Sequence, residues 1–236
     1  MSITFLIPIY NEVKTVRQAI EETLKINIQN KEIIIIDNNS TDGSKNIIEE
    51  YRSNKNVKII YQIKNLGFGN SIQDGFNNSS NEFIYIQYGD LEYDINKCIE
   101  MLTLIKEKNL DVVFASRLKN IKSFKEMLKE LIKKPSYLAT LLCTFMINQF
   151  YGKKFTDIIG TKLYRRKTIQ PIIPKISGQG FDFELVSLIC KNQLNIEEFF
   201  IDYTPRKNSS EKKIKFYHLF NAIYAILKIK IKKEKL

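Results

Sequence analysis

One histidine and three cysteines in 236 residues leave little material for metal or disulfide chemistry built on soft ligands. Cys98, Cys143 and Cys190 are odd in number, far apart and without a CxxC pair, so neither a disulfide framework nor a structural zinc site is expected. A reducing, cytoplasmic compartment fits that usage. His218, the sole histidine, lies in a lysine-flanked segment remote from any acidic cluster, which suits a surface or partly packed role. No serine has a base beside it, so a hydrolase triad has no support. No apolar run approaches roughly 20 residues, and nothing is expected to span a bilayer. The N-terminus, Met1 to Pro8, lacks a basic leader and a cleavage site. Gly67 and Gly69 come too late for a dinucleotide fingerprint, which would follow the first strand.

What the chain does have is a core. With 44% hydrophobic residues it suits one large domain, or one domain with an extension. Its net charge of +11 is concentrated late, where lysines dominate from Lys207 to Leu236. Such a tail can attract anionic lipid, phosphorylated substrates or nucleic acid, or it can reflect a Lys-, Ile- and Asn-rich habit of the whole chain. No base-reading motif or stacking signature accompanies the charge, so no nucleic-acid partner is expected.

Strand and helix patterns alternate. Ile3 to Ile9 reads as a strand and Glu12 to Ile26 as a helix through Val16, Ile20 and Leu24. The second strand, Glu32 to Asp37, holds four consecutive isoleucines, the mark of a strand buried on both faces. Ser40 to Gly43 reads as a turn before a helix to about Tyr51, and Val57 to Gln62 as the third strand. A helix near Ser71 to Asn77, a strand Phe83 to Ile86, a helix Asn96 to Lys108 and a strand Asp111 to Ala115 complete the pattern. This order implies a doubly wound α/β sheet that binds ligands at the carboxyl ends of its strands.

That rule selects Tyr10, Asn11 and Glu12, then Asp37, Asn38 and Asn39, then Asp90, Glu92 and Asp94. Alternate spacing of the three carboxylates in Gly89-Asp90-Leu91-Glu92-Tyr93-Asp94 would put them on one side of an extended segment, where they can converge on a cation and its phosphates. Asp37 after an apolar strand suits a base or ribose, and Gly67 and Gly69 allow close approach of backbone to a ligand. Asp37, Asn38 and Asn39 can equally do no more than cap the next helix. From Phe124 to Tyr151 the pattern suggests two amphipathic helices split at Pro135, and Phe216 to Lys235 mixes apolar residues with lysines, compatible with lying on an anionic bilayer.

The segments Pro8-Ile9-Tyr10-Asn11-Glu12, Asp37 to Gly43, Asn65-Leu66-Gly67-Phe68-Gly69 and Gly89 to Asp94 occur in the order seen in inverting family 2 glycosyltransferases. Ala115-Ser116-Arg117, Asp157 to Arg166, Gly180 to Glu184, Tyr203 to Arg206 and Glu211 to Ile214 resemble the dolichyl- or polyprenyl-phosphate mannosyltransferase branch. The likeness runs over about residues 2–228. It implies an α/β, GT-A type, Rossmann-like fold, with a mostly parallel central sheet flanked by helices and with C-terminal amphipathic helices. It also implies a GT-A domain over 1–207, with a helical insertion at 119–154 near the acceptor side, and a basic amphipathic extension over 208–236.

By the same resemblance Pro8, Tyr10, Glu12, Asp37, Asn39, Asn65, Gly67, Tyr88 and Gly89 face the nucleotide sugar, and Asp42 caps a helix. Asp90 and Glu92 would hold Mg²⁺ or Mn²⁺ against the diphosphate. Tyr88 stands where relatives carry the first Asp of a DxD motif, which leaves two carboxylates and phosphate oxygens to complete the shell. Arg117, Arg206, Lys212 and Lys213 are the cations expected at the donor or acceptor phosphates. A polyprenyl phosphate acceptor needs no general base, whereas a hydroxyl acceptor does, with Asp182 or Glu184 first in line and Asp157 behind them. The implied activity is hexose transfer from a GDP- or UDP-linked donor to a polyprenyl phosphate, at the inner face of the membrane. A surface-glycan hydroxyl acceptor and a silent nucleotide-sugar binder are the alternatives. A membrane-protein partner or a homodimer stays open.

Overall fold

The computed structural model describes residues 1–118, 136–173, 180–204 and 217–232. Arg206, Lys212, Lys213 and the first of the two helices expected around Pro135 lie outside these residues.

Seven strands form one sheet in the order β3-β2-β1-β4-β6-β5-β7. They are β1 Ser2–Ile9, β2 Asn30–Asp37, β3 Val57–Tyr61, β4 Phe83–Ile86, β5 Val112–Ser116, β6 Lys162–Arg165 and β7 Ile196–Phe200. β1 pairs in parallel with β2 and β4, β2 with β3, and β5 with β7. Only β6 runs against its neighbours, pairing antiparallel with both β4 and β5. The mostly parallel sheet expected from the strand–helix alternation is therefore present.

The helices are α1 Val16–Lys25, α2 Ser44–Glu49, α3 Phe68–Asn78, α4 Lys97–Glu107, α5 Ser136–Tyr151, α6 Arg166–Ile169, α7 Phe181–Lys191 and α8 Tyr217–Ile231. Successive strand residues point to opposite faces, and the core divides accordingly. Leu6, Ile34, Ile36, Ile84 and Phe114 meet Ile72 and Phe76 of α3, Cys143 and Ile147 of α5, Leu185 of α7 and Ile226 of α8. On the other face Ile3, Phe5, Ile33, Ile35 and Phe83 meet Val16 and Ile20 of α1, Ile48 of α2 and Met101 and Ile105 of α4. All four isoleucines of β2 are fully buried, as a strand covered by helices on both sides requires. Truncating one of them to alanine would cost about 2–5 kcal/mol.

Three expectations change. α1 begins at Val16 rather than Glu12, because the backbone N–H groups of Asn11, Glu12 and Val13 donate to side chains of the loop after β2. α5 is not amphipathic in composition, because it has no charged residue. β6 and β7 were not anticipated. One backbone contact explains the glycine just before β6: a Cβ at Gly160 would lie 1.7 Å from the Ala115 carbonyl oxygen, so only glycine lets the chain entering β6 approach β5.

Candidate active site

The carboxyl ends of β1, β2, β4 and β5 share one edge of the sheet. Because β6 is reversed, its first residue, Lys162, arrives at that same edge.

Two loops there are stitched together. After β1, the backbone N–H groups of Asn11 and Glu12 donate to the hydroxyls of Ser40 (3.0 Å) and Ser44 (2.9 Å). Val13 N–H donates to Asp42 Oδ2 at 2.9 Å, and Thr41 N–H returns a bond to Asn11 Oδ1 at 2.8 Å. Asn11 and Asn39 sit at φ 56° and 61°, a left-handed conformation that asparagine tolerates best among side-chain-bearing residues. Asp42 also accepts from Ser44 N–H at 2.9 Å, at the start of α2. Partial burial pushes its carboxyl up, but the bonds from Ser44 and Val13 outweigh that and hold it below the ordinary value.

Asp37 ends β2 fully buried, its two oxygens accepting Ser40 N–H at 3.2 and 3.3 Å. Asn38 reaches sideways: its amide donates to Asn65 Oδ1 at 3.0 Å and its oxygen accepts Leu66 N–H at 2.8 Å. Gly67 N–H closes the turn on Asn65 Oδ1 at 2.9 Å, with Gly67 at φ 84°. Pro8, Tyr10, Glu12, Asp37, Asn39, Asn65 and Gly67, expected around the nucleotide, are thus gathered at one edge.

The acidic run joins them through Gly89. A Cβ there would come 2.5 Å from Ile9 Cδ1 and 3.7 Å from Glu12 Cγ, so the absence of a side chain seats the run against β1 and its loop. The even alternation expected of the three carboxylates does not survive. Leu91 adopts φ 59°, and the chain turns. Glu92 N–H then donates to Asp90 Oδ1 at 3.2 Å, Glu92 Oε2 accepts the Tyr203 hydroxyl at 2.7 Å, and Asp94 Oδ1 accepts Asn96 N–H at 2.9 Å, just before α4. Asp94 is therefore turned to the helix, while Asp90 and Glu92 stay neighbours. Among the described residues no three acidic, cysteine or histidine side chains cluster as a metal cage. Two hard carboxylates fit Mg²⁺ or Mn²⁺ as a site completed by phosphate oxygens, and not as a self-sufficient one.

Tyr88, at the position where the resemblance puts the first Asp of a DxD motif, is a packing residue. Its half-buried ring stacks on Phe68 with centroids 5.7 Å apart at 10°, and it touches Tyr93 at 5.8 Å. Phe68 in turn meets Phe181 at 6.3 Å, and Tyr93 meets Tyr203 at 5.3 Å. This row of five rings crosses the site from the start of α7 to the loop after β7. Burial, and secondarily the charge of Asp182, pushes the Tyr88 hydroxyl well above its ordinary range, so it stays neutral.

Two ion pairs flank the row. Arg117, just after β5, holds Asp157 through Nε (2.6 Å) and Nη2 (3.0 Å), with its own N–H adding a third bond at 3.1 Å. Both side chains are buried, and the guanidinium also lies 5.2 Å from the centroid of the Tyr203 ring. Burial acts to raise the Asp157 carboxyl, but Arg117 outweighs it and holds the group below its ordinary value. Glu198 of β7 accepts Thr156 N–H (2.8 Å) and Asp157 N–H (3.0 Å) beneath the pair. The geometry thus answers the charge of Arg117 inside the protein and occupies Asp157, the last-ranked base. Across the row, Lys162 Nζ donates to Asp182 Oδ1 at 3.0 Å and to the Gly160 carbonyl at 3.1 Å. Asp182 opens α7 at the edge of the site, whereas Glu184 is buried toward α8, 3.8 Å from Lys228.

Sequence reasoning missed Lys162 and the aromatic row. A lysine directly before Leu163 and Tyr164 of a strand was the available signal, since a buried ammonium needs a carboxylate partner.

Known proteins resemble this chain in sequence and in fold. A cholesterol galactosyltransferase from Borreliella burgdorferi is 25% identical over 232 residues, 92% of this chain and 63% of that protein. The dolichyl-phosphate beta-glucosyltransferase of Dictyostelium discoideum is 25% identical over 222 residues, 86% of this chain and 66% of that protein. The chain thus spans less than two thirds of the length of either relative. Staphylococcus aureus TarS 1–349, in complex with UDP-GlcNAc, has a TM-score of 0.67 at 17% identity and covers 97% of this chain and 66% of its own. Mycobacterium tuberculosis glucosyl-3-phosphoglycerate synthase, in complex with Mn²⁺, UDP and glucosyl-3-phosphoglycerate, has a TM-score of 0.67 at 16% identity, covering 97% of this chain and 79% of that one. At such identities the likeness concerns the fold, which is of the GT-A type. Residues 4–173 match the family described as Glycosyl transferase family 2, and with most of its length inside that match the chain belongs to it.

Proposed function

We propose that this chain transfers a hexose from a GDP- or UDP-linked donor to a polyprenyl phosphate, with inversion at the anomeric carbon. The observation that carries the reading is the seating of Gly89 against Ile9 and Glu12, which brings the acidic run against the loop after β1, itself bonded to the loop after β2. A nucleoside lodged by Asp37, Asn39, Asn65 and Gly67 would leave its diphosphate toward Asp90. The dolichyl-phosphate acceptor in the Dictyostelium relative's name supports a lipid phosphate here. The resemblance points to mannose and that relative's name to glucose, and the donor assay below reads which hexose is transferred.

In this reading the attacking phosphate oxygen is already anionic, so displacement needs no base. Asp90, helped by Glu92, would hold Mg²⁺ or Mn²⁺, and that ion would supply charge neutralisation for the departing diphosphate. The Mn²⁺ bound in the mycobacterial neighbour supports that choice. Arg206, Lys212 and Lys213 are proposed to clamp the phosphates, and Arg117 to hold its side of the site by gripping Asp157. A polyprenyl acceptor places the work at the inner face of a membrane, on the cytoplasmic side.

A second reading has one observation in its favour. Asp182 is partly exposed at the start of α7, beside the aromatic row, where it can serve as base for a hydroxyl acceptor such as a surface glycan. Labelled GDP- and UDP-hexoses offered with polyprenyl phosphate, with Mg²⁺, Mn²⁺ or chelator, separate these ideas. Label entering the organic phase supports the lipid reading. Transfer only to hydroxyl acceptors supports the second, and tight nucleotide binding without turnover on any donor refutes both.

A further inference from the structure

Seven of the eleven exposed large apolar side chains among the described residues lie on only two helices, α5 and α8. On α5 they are Leu138, Leu142 and Phe145, spaced by four and three, which is one face of a helix. On α8 Tyr224, Leu227 and Ile231 repeat the pattern with spacings of three and four, and Tyr224 and Ile231 are 68% and 75% exposed. The buried faces of the same helices, Cys143 and Ile147 on one and Ala222, Ile226 and Ile229 on the other, already belong to the core. Folding therefore leaves the outer stripes over, and apolar patches of this kind mark an interaction surface.

The two helices pack together. Lys230 of α8 donates to the Phe150 carbonyl of α5 at 2.6 Å and lies over the Tyr151 ring at 5.3 Å. α8 also runs close to the start of α7: a Cβ at Gly180 would be 3.3 Å from the Asn221 carbonyl oxygen, so the surface begins near Asp182.

Charge identifies the occupant. α5 carries no charged residue, and α8 carries Lys228 and Lys230, with Lys232 directly after it, and no carboxylate. A cleft of about 500 Å³ at the ends of α5, α7 and α8 is lined by Lys153, Lys191 and Lys230 beside Phe150 and Tyr151, again without a carboxylate. We propose that the α5–α8 surface docks on a bilayer containing anionic phospholipid, its apolar stripes entering the headgroup boundary and its lysines, including those of the cleft, meeting the lipid phosphates. A second copy of the chain would set lysines against lysines with no carboxylate to answer them. The inference concerns where the chain binds and does not depend on what it transfers.

The test is co-sedimentation of the full chain with phosphatidylcholine vesicles, with and without about one third phosphatidylglycerol, in the absence of donor and acceptor. Binding is expected to the anionic vesicles and to weaken as salt rises. Leu142→Gln with Phe145→Gln, or Tyr224→Gln with Ile231→Gln, should lower the partition about tenfold while leaving the melting temperature near that of the wild type. Lys153→Gln with Lys232→Gln should weaken binding to anionic vesicles and reduce its salt dependence. Equal binding to neutral vesicles, indifference to the apolar substitutions, or a wild-type dimer that those substitutions separate while vesicles stay unbound would each overturn the proposal. Because no sugar is present, failure here leaves the transfer reading intact, and success does not establish it.

Discussion

Lys162, 1% exposed at the first position of the reversed strand, donates to Asp182, 18% exposed at the first turn of α7. The two members of this pair are unequally solvated, and that inequality orders the cost of losing each. Asp182→Ala leaves a buried ammonium unanswered and should cost about 3 kcal/mol, whereas Lys162→Met leaves a carboxylate that water still reaches and should cost about 1 kcal/mol. Urea unfolding of the two variants decides it, and the reverse order would show that the lysine is not the stranded partner. Lys162→Arg should restore part of any lost transfer if the cation positions Asp182.

Asp90→Asn keeps the shape of the site and removes its central charge. Transfer should fall by at least about a hundredfold, and stimulation by Mn²⁺ should disappear, while nucleotide binding measured by thermal shift persists. Glu92→Gln and Tyr203→Phe, which share the 2.7 Å bond, should lose less. Full activity in Asp90→Asn would end the assignment.

Tyr88→Asp recreates the missing acidic residue on paper. In the fold it removes a ring stacked on Phe68 and adds a charge near Asp182 and Asp90. The variant should melt lower by about 2–4 kcal/mol of stability and bind Mn²⁺ no more tightly. Tyr88→Phe should stay within about 0.5 kcal/mol of wild type. A Tyr88→Asp protein that keeps its stability and gains metal affinity would show the row to be dispensable.

The pH dependence of stability has two opposed parts. Asp157 is held below its ordinary value, so its contribution is present above that value and is lost as pH falls through the lowered one. Glu184 is raised, first by burial and against the pull of Lys228, and its Oε2 accepts no hydrogen bond among the described residues. Its contribution is complete below the ordinary carboxylate value and is lost as pH rises through the raised one. Glu184→Gln should therefore be more stable than wild type at pH 7, by about 1 kcal/mol, with the difference vanishing toward pH 4. Melting curves across that range test the sign, and a variant less stable at pH 7 would contradict it.

The first half of the chain was legible because its patterns are long and unmixed. Four adjacent isoleucines admit only a buried strand, and Asp37, Asn65 and Gly89 sit where the strand-end rule sends them. β6 escaped notice because Lys162 and Arg165 bracket a two-residue apolar centre. β7 escaped because Glu197 and Glu198 interrupt its apolar run. The convergence of Asp94 failed for a local reason: the left-handed turn at Leu91 cannot be read from leucine, a residue that rarely adopts it. The aromatic row depends on contacts between residues as far apart in sequence as Phe68 and Phe181, which no local spacing encodes.

The reversed direction of β6 divides the labour of the sheet. On one side β1 to β4 form an uninterrupted parallel register that ends in the loops around Asp37 and Asp90. On the other, β5 and β7 form a separate parallel pair, and within the sheet the two blocks are joined through the four residues of β6, which run the opposite way. Such a seam lets the second block, with α5, α7 and α8, change its outer surface without altering the alignment of the first. On the proposed function, such a scaffold would let the acceptor side vary while the donor side keeps its alignment.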